Sequence, residues 1–132
     1  VSVEFEPARG PVIIPVDAAQ IEDALLNLLL NAIDAIEKDG RVTVRVSCRS
    51  GEGEARPDGE AIIEVTDTGR GIAEEDLNQI FNPFFTKTSG GTGLGLPAVR
   101  RIVRAHGGRV EVKSALGSGS TFTIRLPLNS LS

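Results

Sequence analysis

The segment Ser89–Leu96 reads Ser-Gly-Gly-Thr-Gly-Leu-Gly-Leu and runs directly into an arginine-rich stretch with the apolar spacing of a helix. Its four glycines cannot pack a core, and they lose more backbone entropy on ordering than other residues do. A glycine loop that leads into a helix start brings backbone N–H groups up to an anion. The segment is therefore interpreted either as a loop that closes over nucleotide phosphates or as an ordinary connection.

The overall composition limits the possible functions. The 132 residues suffice for a core, and we interpret residues 1–132 as one domain. Fourteen basic against 18 acidic side chains give a net charge of −4, which argues against nucleic-acid binding, so a phosphate must be met by local donors or a metal. The single Cys48 excludes an internal disulfide. Without an apolar run long enough for a bilayer or a signal peptide, we expect a cytoplasmic domain, which is compatible with membrane anchoring of a longer protein.

Apolar periodicity predicts an α+β protein. Val1, Val3 and Phe5 alternate with polar residues, which predicts a half-buried strand, and the pair Asp17 and Gln20 predicts a capped helix start. The predicted helices span residues 18–38, 74–80 and 94–105, and the predicted strands span residues 1–6, 41–48, 61–66, 109–114 and 121–126. Together they predict a two-layer α/β sandwich, in which about three helices cover a mixed, mostly antiparallel five-stranded sheet.

Two amides interrupt the apolar side of the first predicted helix. Asn27 and Asn31 lie four residues apart, on one helical face, within an otherwise apolar run. An unpartnered buried amide costs about 1–3 kcal/mol, so two of them on one face need a shared partner. A hydrated Mg²⁺ with nucleotide phosphates would serve, because hard cations take oxygen ligands such as an amide carbonyl. The alternative is a polar pair that caps a neighbouring loop.

Asp67 ends a predicted strand and is followed closely by Gly69 and Gly71. A carboxylate at a strand end can accept hydrogen bonds from an exocyclic amine such as that of adenine, and glycines let a flat base approach the backbone. The same residues also fit a simple Asp-Gly type turn.

Phenylalanines and a lysine follow in a region that is otherwise polar. The run Phe81-Asn-Pro-Phe-Phe85 indicates that this segment is anchored to the domain, because exposed phenylalanines are unfavourable. Lys87 comes two residues later and is placed to reach a terminal phosphate, although most lysines are simply solvated. The glycine segment lacks the Gly-Lys-Ser/Thr of a P-loop, and no strand precedes it, so neither common phosphate loop applies.

Four elements in order carry a resemblance to a known family. They are Asn27-x-x-x-Asn31-Ala, Asp67-x-Gly-x-Gly71, Phe81-x-Pro-Phe-Phe85 and Gly91-Thr-Gly-Leu-Gly-Leu96. The set resembles the N, G1, F and G2 boxes of the GHKL ATP-binding superfamily, and specifically the catalytic ATP-binding domain of sensor histidine kinases. The N-box and F-box wording is most similar to the NtrB-like subgroup. The resemblance covers nearly the whole chain and implies the Bergerat ATP-binding fold.

The resemblance implies ATP and Mg²⁺ as cofactors and a role for each matching residue. Asn31 would bind Mg²⁺, with Asn27 beside it. Asp67 would recognise the adenine amine, directly and through a water that Thr121 also holds. The glycines that would admit the base are Gly69 and Gly71, and those that would wrap the phosphates are Gly91, Gly93 and Gly95. The other nucleotide-contacting positions would be Ile72, Lys87, Thr92, Leu94 and Leu96. An ATP lid would span residues 73–93, tethered by Phe84 and Phe85.

The residue one turn before Asn31 bears on the reaction. ATPases of the same superfamily, such as gyrase B and MutL, place a water-activating Glu there. Here that residue is Asn27, and an amide cannot act as a general base. The resemblance therefore implies phosphoryl transfer to a supplied nucleophile, with Asn31 and Lys87 as the catalytic candidates.

In histidine kinases that nucleophile is a histidine on a separate dimerisation and phosphotransfer domain, from which a response regulator is phosphorylated. We expect this domain to be a monomer by itself and part of a homodimer in the full protein. His106, the one histidine, is expected to be structural, so the isolated domain should not phosphorylate itself. The alternatives are a stand-alone protein-serine kinase of the anti-sigma type and a nucleotide-binding module without turnover.

Overall fold

A sheet and a helical layer build the domain, and the computed structural model describes residues 1–8, 16–49, 59–83, 85 and 95–127. The strands are β1 (Ser2–Glu6), β2 (Arg41–Arg49), β3 (Glu60–Asp67), β4 (Arg109–Ser114) and β5 (Ser120–Pro127). Within the described residues they form one five-stranded sheet in the order β1-β2-β3-β5-β4. The helices α1 (Ala18–Ala35) and α2 (Gly95–Ala105) pack against each other and against the sheet.

The pairing confirms the predicted mixed, mostly antiparallel sheet. β1 is parallel to β2, and the other three pairings are antiparallel. The helix count is lower than predicted, because the described residues contain two α-helices and only a short 3₁₀-helix, Glu74–Asp76, in the third predicted place. Successive backbone bonds there join residues three apart, such as Leu77 N–H to Glu74 O, so the segment winds as 3₁₀ turns rather than as an α-helix.

Helix α1 begins as predicted and ends three residues early. Asp17 Oδ1 accepts a hydrogen bond from the Gln20 N–H at 3.2 Å, which is the predicted cap. The helix ends at Ala35 rather than at residue 38, because the Arg70 N–H donates to the Ala35 carbonyl at 2.9 Å and occupies the acceptor that the next turn would use. Ile36 is already extended, with φ −96° and ψ 118°.

The core lies between the helices and the central strands. Alternate residues of β3 and β5 point into it, and so does one side of each helix. The fully or nearly fully buried apolar residues include Ala24, Leu28, Ala32, Val42, Val65, Val99, Val103, Phe122, Ile124 and Leu126. Burial of each large side chain contributes roughly 1.5–3 kcal/mol, so this layer stabilises the elements that carry the candidate site. In the described part of the chain no helix combines the length and apolarity needed to cross a membrane.

Strand β1 forms as predicted, but its predicted half-burial is wrong. Val1, Val3 and Phe5 are 57%, 57% and 63% exposed, and all five residues of the strand are exposed. Val3 and Phe5 pair in register with Val42 and Val44 of β2, at the edge of the sheet. Alternation of apolar and polar residues predicts that β1 is a strand. Its burial also requires another element to cover the apolar side. Helix α1 packs on β2 and β3 rather than on this edge strand.

His106 joins the two helices. Its Nε2 accepts a hydrogen bond from the Asp17 N–H at 3.1 Å, and its Nδ1 lies 2.8 Å from the Ile102 carbonyl, to which it donates. One nitrogen accepts and the other donates, which is the pattern of a neutral imidazole. The ring therefore ties the start of α1 to the end of α2, in the structural role expected of it.

Candidate functional site

The amide pair of α1 lies where the two helices meet. Asn27 and Asn31 are one turn apart and half-buried. Gly95 opens α2 beside Asn27, and a Cβ at Gly95 would lie 3.4 Å from Asn27 Oδ1. Leu96, the next residue, packs against the hydrophobic core. The described end of the glycine segment is thus fixed in the core and lies against Asn27.

The atoms that could coordinate a metal ion at this part of α1 are the amide oxygens of Asn27 and Asn31. No group of three or more His, Cys, Asp or Glu side chains within the described ranges could hold a metal ion. A divalent cation beside Asn31 would therefore combine an amide oxygen with oxygens of water and ligand phosphate. Such an all-oxygen set suits Mg²⁺, which usually keeps several waters and takes few protein ligands.

Asp67 forms a second candidate group at the end of β3. It is 3% exposed, and its Oδ1 accepts a hydrogen bond from the Gly69 N–H at 2.9 Å. Burial raises the pKa of the Asp67 carboxyl above its ordinary value of 3.8. Hydrogen bonds from the backbone of Gly69 and Ser120 act in the opposite direction, as does the charge of Arg70. The carboxyl is therefore a buried acceptor, held in place by the backbone around it.

Arg70, which the motif leaves unspecified, fixes the loop that follows Asp67. Its backbone N–H donates to the Ala35 carbonyl and its guanidinium donates to the Asp34 carbonyl, each at 2.9 Å. A cation at a helix C-terminus also interacts favourably with the helix dipole. On the other side the Gly117 N–H donates to the Arg70 carbonyl at 2.8 Å. The loop is thereby attached both to α1 and to the β4–β5 turn.

Gly69 and Gly71 have a packing reason to be glycine, besides the role in admitting the base that the resemblance implies. A Cβ at Gly69 would lie 2.4 Å from the Ala35 carbonyl oxygen, and one at Gly71 would lie 2.0 Å from the Ala115 carbonyl oxygen. Gly71 also has a φ of +74°, which side-chain-bearing residues rarely adopt. In the structure the space that a side chain would need is filled by backbone on both sides of the loop.

Ser120, rather than Thr121, lies opposite Asp67. Successive residues of a strand point to opposite faces of the sheet. Ser120 pairs with Asp67 in register and is buried on the same face, whereas Thr121 points to the other face, where its Oγ lies 3.1 Å from Thr66 Oγ. The sharing of a water between Thr121 and Asp67 stays a prediction, and Ser120 is the residue of β5 that shares a sheet face with Asp67.

Ser114, at the end of β4, is a further residue that the motifs do not mark. Its Oγ accepts a hydrogen bond from the Ile72 N–H at 2.8 Å and donates to the Gly119 carbonyl at 2.9 Å. The same oxygen lies 2.7 Å from Ser120 Oγ. Of the predicted site residues, Ile72 is thus connected through its backbone to the residue that faces Asp67.

The phenylalanine segment is anchored as predicted where it is described. Phe81 packs edge to face on Phe122, with ring centroids 6.5 Å apart and an interplanar angle of 81°. Arg100 of α2 lies 5.7 Å from the centre of the Phe81 ring, and Phe85 packs against the core. The candidates that lie outside the described residues are Phe84, Lys87, Gly91, Thr92, Gly93 and Leu94, together with the rest of the predicted lid beyond residue 85.

These features define a class. The chain belongs to the family of histidine kinase-, DNA gyrase B- and HSP90-like ATPases, whose sequence profile matches residues 16–130. It is 47% identical over 116 residues to the sensor histidine kinase ZraS of Escherichia coli (strain K12), covering 88% of this chain and 23% of ZraS. It is 38% identical over 114 residues to sporulation kinase C of Bacillus subtilis (strain 168), covering 86% of this chain and 25% of that kinase. The chain thus spans about a quarter of the length of these relatives.

Solved structures point to the same part of a kinase. The catalytic domain of histidine kinase ThkA, in a nucleotide-free form, superimposes with a TM-score of 0.80 at 27% identity, covering 97% of this chain and 80% of that one. Full-length ShkA, in complex with AMPPNP, superimposes with a TM-score of 0.79 at 31% identity, covering 98% of this chain and 26% of ShkA. The chain is accordingly an ATPase domain of the histidine-kinase type.

Proposed function

We propose that this domain binds ATP with Mg²⁺ and donates the γ-phosphoryl group to a histidine on a separate dimerisation domain of the same kinase, in two-component signalling. The observation that carries the proposal is the amide pair Asn27 and Asn31 on α1, of which Asn27 lies against Gly95. An amide one turn before Asn31 supplies no general base for water, so transfer to a positioned nucleophile is favoured over hydrolysis. The family membership and the AMPPNP complex of the similar ShkA support a nucleotide at this place.

In this proposal the base and the phosphates occupy opposite ends of the site. Asp67 accepts a hydrogen bond from the adenine amine, and Asn31 supplies an oxygen to Mg²⁺. When bound, the ion would neutralise charge on the phosphates and orient them. The fixed loop after Asp67 holds the base acceptor in place, while Gly95 allows the phosphates to lie close to the start of α2. Lys87 and the glycines at 91 and 93 complete the phosphate contacts.

The partner follows from the same reaction. A domain that presents ATP needs a nucleophile from elsewhere, because both ring nitrogens of His106 are engaged within the fold. We propose that this nucleophile lies on a dimeric helical domain of the same kinase, that the domain acts in the cytoplasm, and that a response regulator receives the phosphoryl group afterwards.

The test is a transfer assay with γ-labelled ATP and Mg²⁺. The domain is incubated alone and with a purified histidine-bearing dimerisation domain from the same kinase. We expect no label on the domain alone and acid-labile label on the added partner. Asn31→Ala and Asp67→Asn should each lower the transfer rate at least roughly tenfold, because each alters a contact that involves a charge, Mg²⁺ in the first case and the Asp67 carboxylate in the second, worth about 1.5–3 kcal/mol.

A matched variant separates a site effect from a general one. Asp39→Asn makes the same chemical change as Asp67→Asn at an exposed position outside the predicted lid and should transfer at the wild-type rate. Acid-stable label on a serine would replace the histidine-kinase proposal with the anti-sigma-type serine kinase. ATP binding without any transfer would favour a binding module instead. Transfer that survives Asn31→Ala and Asp67→Asn unchanged would refute the site.

A further inference from the structure

A pair of serine hydroxyls lies beside Asp67, and its hydrogen bonds run in one direction. We propose that Ser114 is a positioning residue that orients the Ser120 hydroxyl and so makes the base end of the site an acceptor-only surface, selective for a purine with a 6-amino group. The proposal rests on the proposed function, because it takes Asp67 as the group that meets the base.

The direction follows from counting protons at Ser114. A serine hydroxyl has one proton to donate and two lone pairs to accept with. The Ser114 proton goes to the Gly119 carbonyl, which can only accept, at 2.9 Å. One lone pair accepts the Ile72 N–H at 2.8 Å. The contact with Ser120 Oγ at 2.7 Å must therefore use the remaining lone pair, and Ser120 is its donor.

The hydroxyl proton of Ser120 is therefore already donated to Ser114 Oγ. Its oxygen retains lone pairs only, on the buried face of the sheet that it shares with Asp67. An ionised Asp67 is likewise an acceptor. A ligand group at this place must then donate, directly or through a water that donates. A 6-amino group carries two N–H donors, whereas a 6-oxo group would direct lone pairs toward lone pairs.

The surrounding backbone keeps Ser114 in this position. Its acceptor bond to Ile72 attaches it to the loop that leaves Asp67, and its donor bond attaches it to Gly119. Gly119 is itself packed closely, because a Cβ there would lie 2.0 Å from the Asp67 carbonyl oxygen. One hydroxyl thus links the loop after β3, the turn before β5 and the residue that faces the base.

The experiment compares ATP with inosine triphosphate, which carries an oxo group where ATP carries the 6-amine. Affinities for both are measured by titration calorimetry with Mg²⁺ for the wild-type domain and for Ser114→Ala, Ser120→Ala and the double variant. Ser114→Ala frees the Ser120 hydroxyl to donate, so we expect the ATP-to-ITP preference to fall roughly fivefold to tenfold, the size of one hydrogen bond. Ser120→Ala should lower it similarly, and the double variant should fall no further, because both act through one chain of bonds.

Controls distinguish this role from a structural one. Ser118→Ala removes an exposed hydroxyl from the same turn and should leave the preference unchanged. Ser114→Thr keeps a hydroxyl at this position and should retain the wild-type ATP-to-ITP preference. A Ser114→Ala domain that binds ATP and ITP with the wild-type ratio would overturn the inference, even if both affinities fell together. If that variant does not fold, an unchanged ratio in Ser120→Ala overturns it equally. Absence of ATP binding by the wild-type domain would instead refute the proposed function.

Discussion

Strands β1 and β5 have the same alternation of apolar and polar residues, yet their burial is opposite. In β5 the side chains of Phe122, Ile124 and Leu126 are at most 1% exposed, whereas Val3 and Phe5 of β1 are more than half exposed. The difference comes from their neighbours. β5 lies between β3 and β4 with the helical layer above it, while β1 is the edge strand and pairs only with β2 among the described strands.

The comparison shows which part of the sheet is stabilised by burial. The candidate base site lies at the end of the buried pair β3 and β5, where Asp67 and Ser120 continue the inward-facing rows. A polar group at this position has rigid surroundings, because the neighbouring residues on its strand are fixed by close packing. A group on β1 would have solvent on both sides.

Two phenylalanines give the most direct test. Phe122→Ala should lower the free energy of unfolding by about 3–5 kcal/mol, because it opens a cavity in the core and removes the contact with Phe81. Phe5→Ala makes the same change on β1 and should cost less than about 0.5 kcal/mol. Urea unfolding at neutral pH measures both. Equal losses for the two variants would show that β1 is covered in solution and would break the contrast.

Two glycines of the β4–β5 turn locate the boundary of the buried region. Gly117 and Gly119 have φ values of +79° and +75°, but a Cβ at Gly117 meets nothing within 4 Å and one at Gly119 lies 2.0 Å from the Asp67 carbonyl oxygen. Gly117→Ala should cost about 1 kcal/mol from backbone strain alone, and Gly119→Ala about 3 kcal/mol. Thermal unfolding measures the difference. Gly119→Ala should also weaken ATP binding, and a similar small effect of both substitutions would contradict the close packing.

Two arginines compare ion pairs at the centre and at the edge. Arg125 Nη1 lies 2.8 Å from Glu60 Oε1, and Glu60 is 2% exposed, whereas Arg45 pairs with Glu6 of β1 where both side chains are more than half exposed. Arg125→Gln should cost about 2–3 kcal/mol, because it removes the cation beside a buried carboxylate. Arg45→Gln should leave the urea midpoint unchanged, as is usual for exposed pairs. A larger effect of Arg45→Gln than of Arg125→Gln would reverse the comparison.

The smallest expected effect is a pH dependence at Asp67. Burial raises the pKa of this carboxyl above 3.8, so the folded domain holds its proton more tightly than the unfolded chain does. The free energy of unfolding should therefore fall as pH rises from about 3.8 through the folded pKa. ATP affinity should change in the other direction and weaken as pH falls through the folded pKa, because the carboxylate is the acceptor.

Acid titrations of stability and of ATP binding check this prediction. Asp67→Asn should remove the contribution of this residue to both slopes, while Asp39→Asn should leave them as in the wild type. Stability that rises with pH across that window in the wild type relative to Asp67→Asn would contradict the assigned direction of the shift.

Much of the architecture could be predicted from local patterns. The Asp17 cap, the alternation in β2 and β5, and the glycines that end α2 depend on neighbours in the chain, and the structure has them as expected. Where the predicted end of α1 was wrong, a residue distant in the sequence determined the observed end. Helix α1 stops at Ala35 because Arg70 occupies its carbonyl, although the two are far apart in the sequence.

The candidate site divides in the same way. Asn27 and Asn31 were predicted because amides in an apolar helix need a partner, and Asp67 because a carboxylate at a strand end, followed by glycines, suits an adenine amine. Ser120 is buried and Ser114 half-buried at inward-facing positions of β5 and β4, so strand alternation alone marks both as polar residues that need hydrogen bonds. The resemblance implies Thr121, whereas the pleat of the strand places Ser120 on the face that Asp67 occupies.

The sequence by itself determined the order of the elements, the polar residues that need partners and the family, because all three depend on residue type and local spacing. Only the tertiary structure decided which partner each group has. The glycine segment Ser89–Leu96 illustrates this: its composition predicts an approach to an anion, but Gly95 lies against Asn27 because α1 and α2 pack together. Hydrogen bonds between distant segments and the covering of one strand by another element depend on long-range packing, which local spacing does not encode.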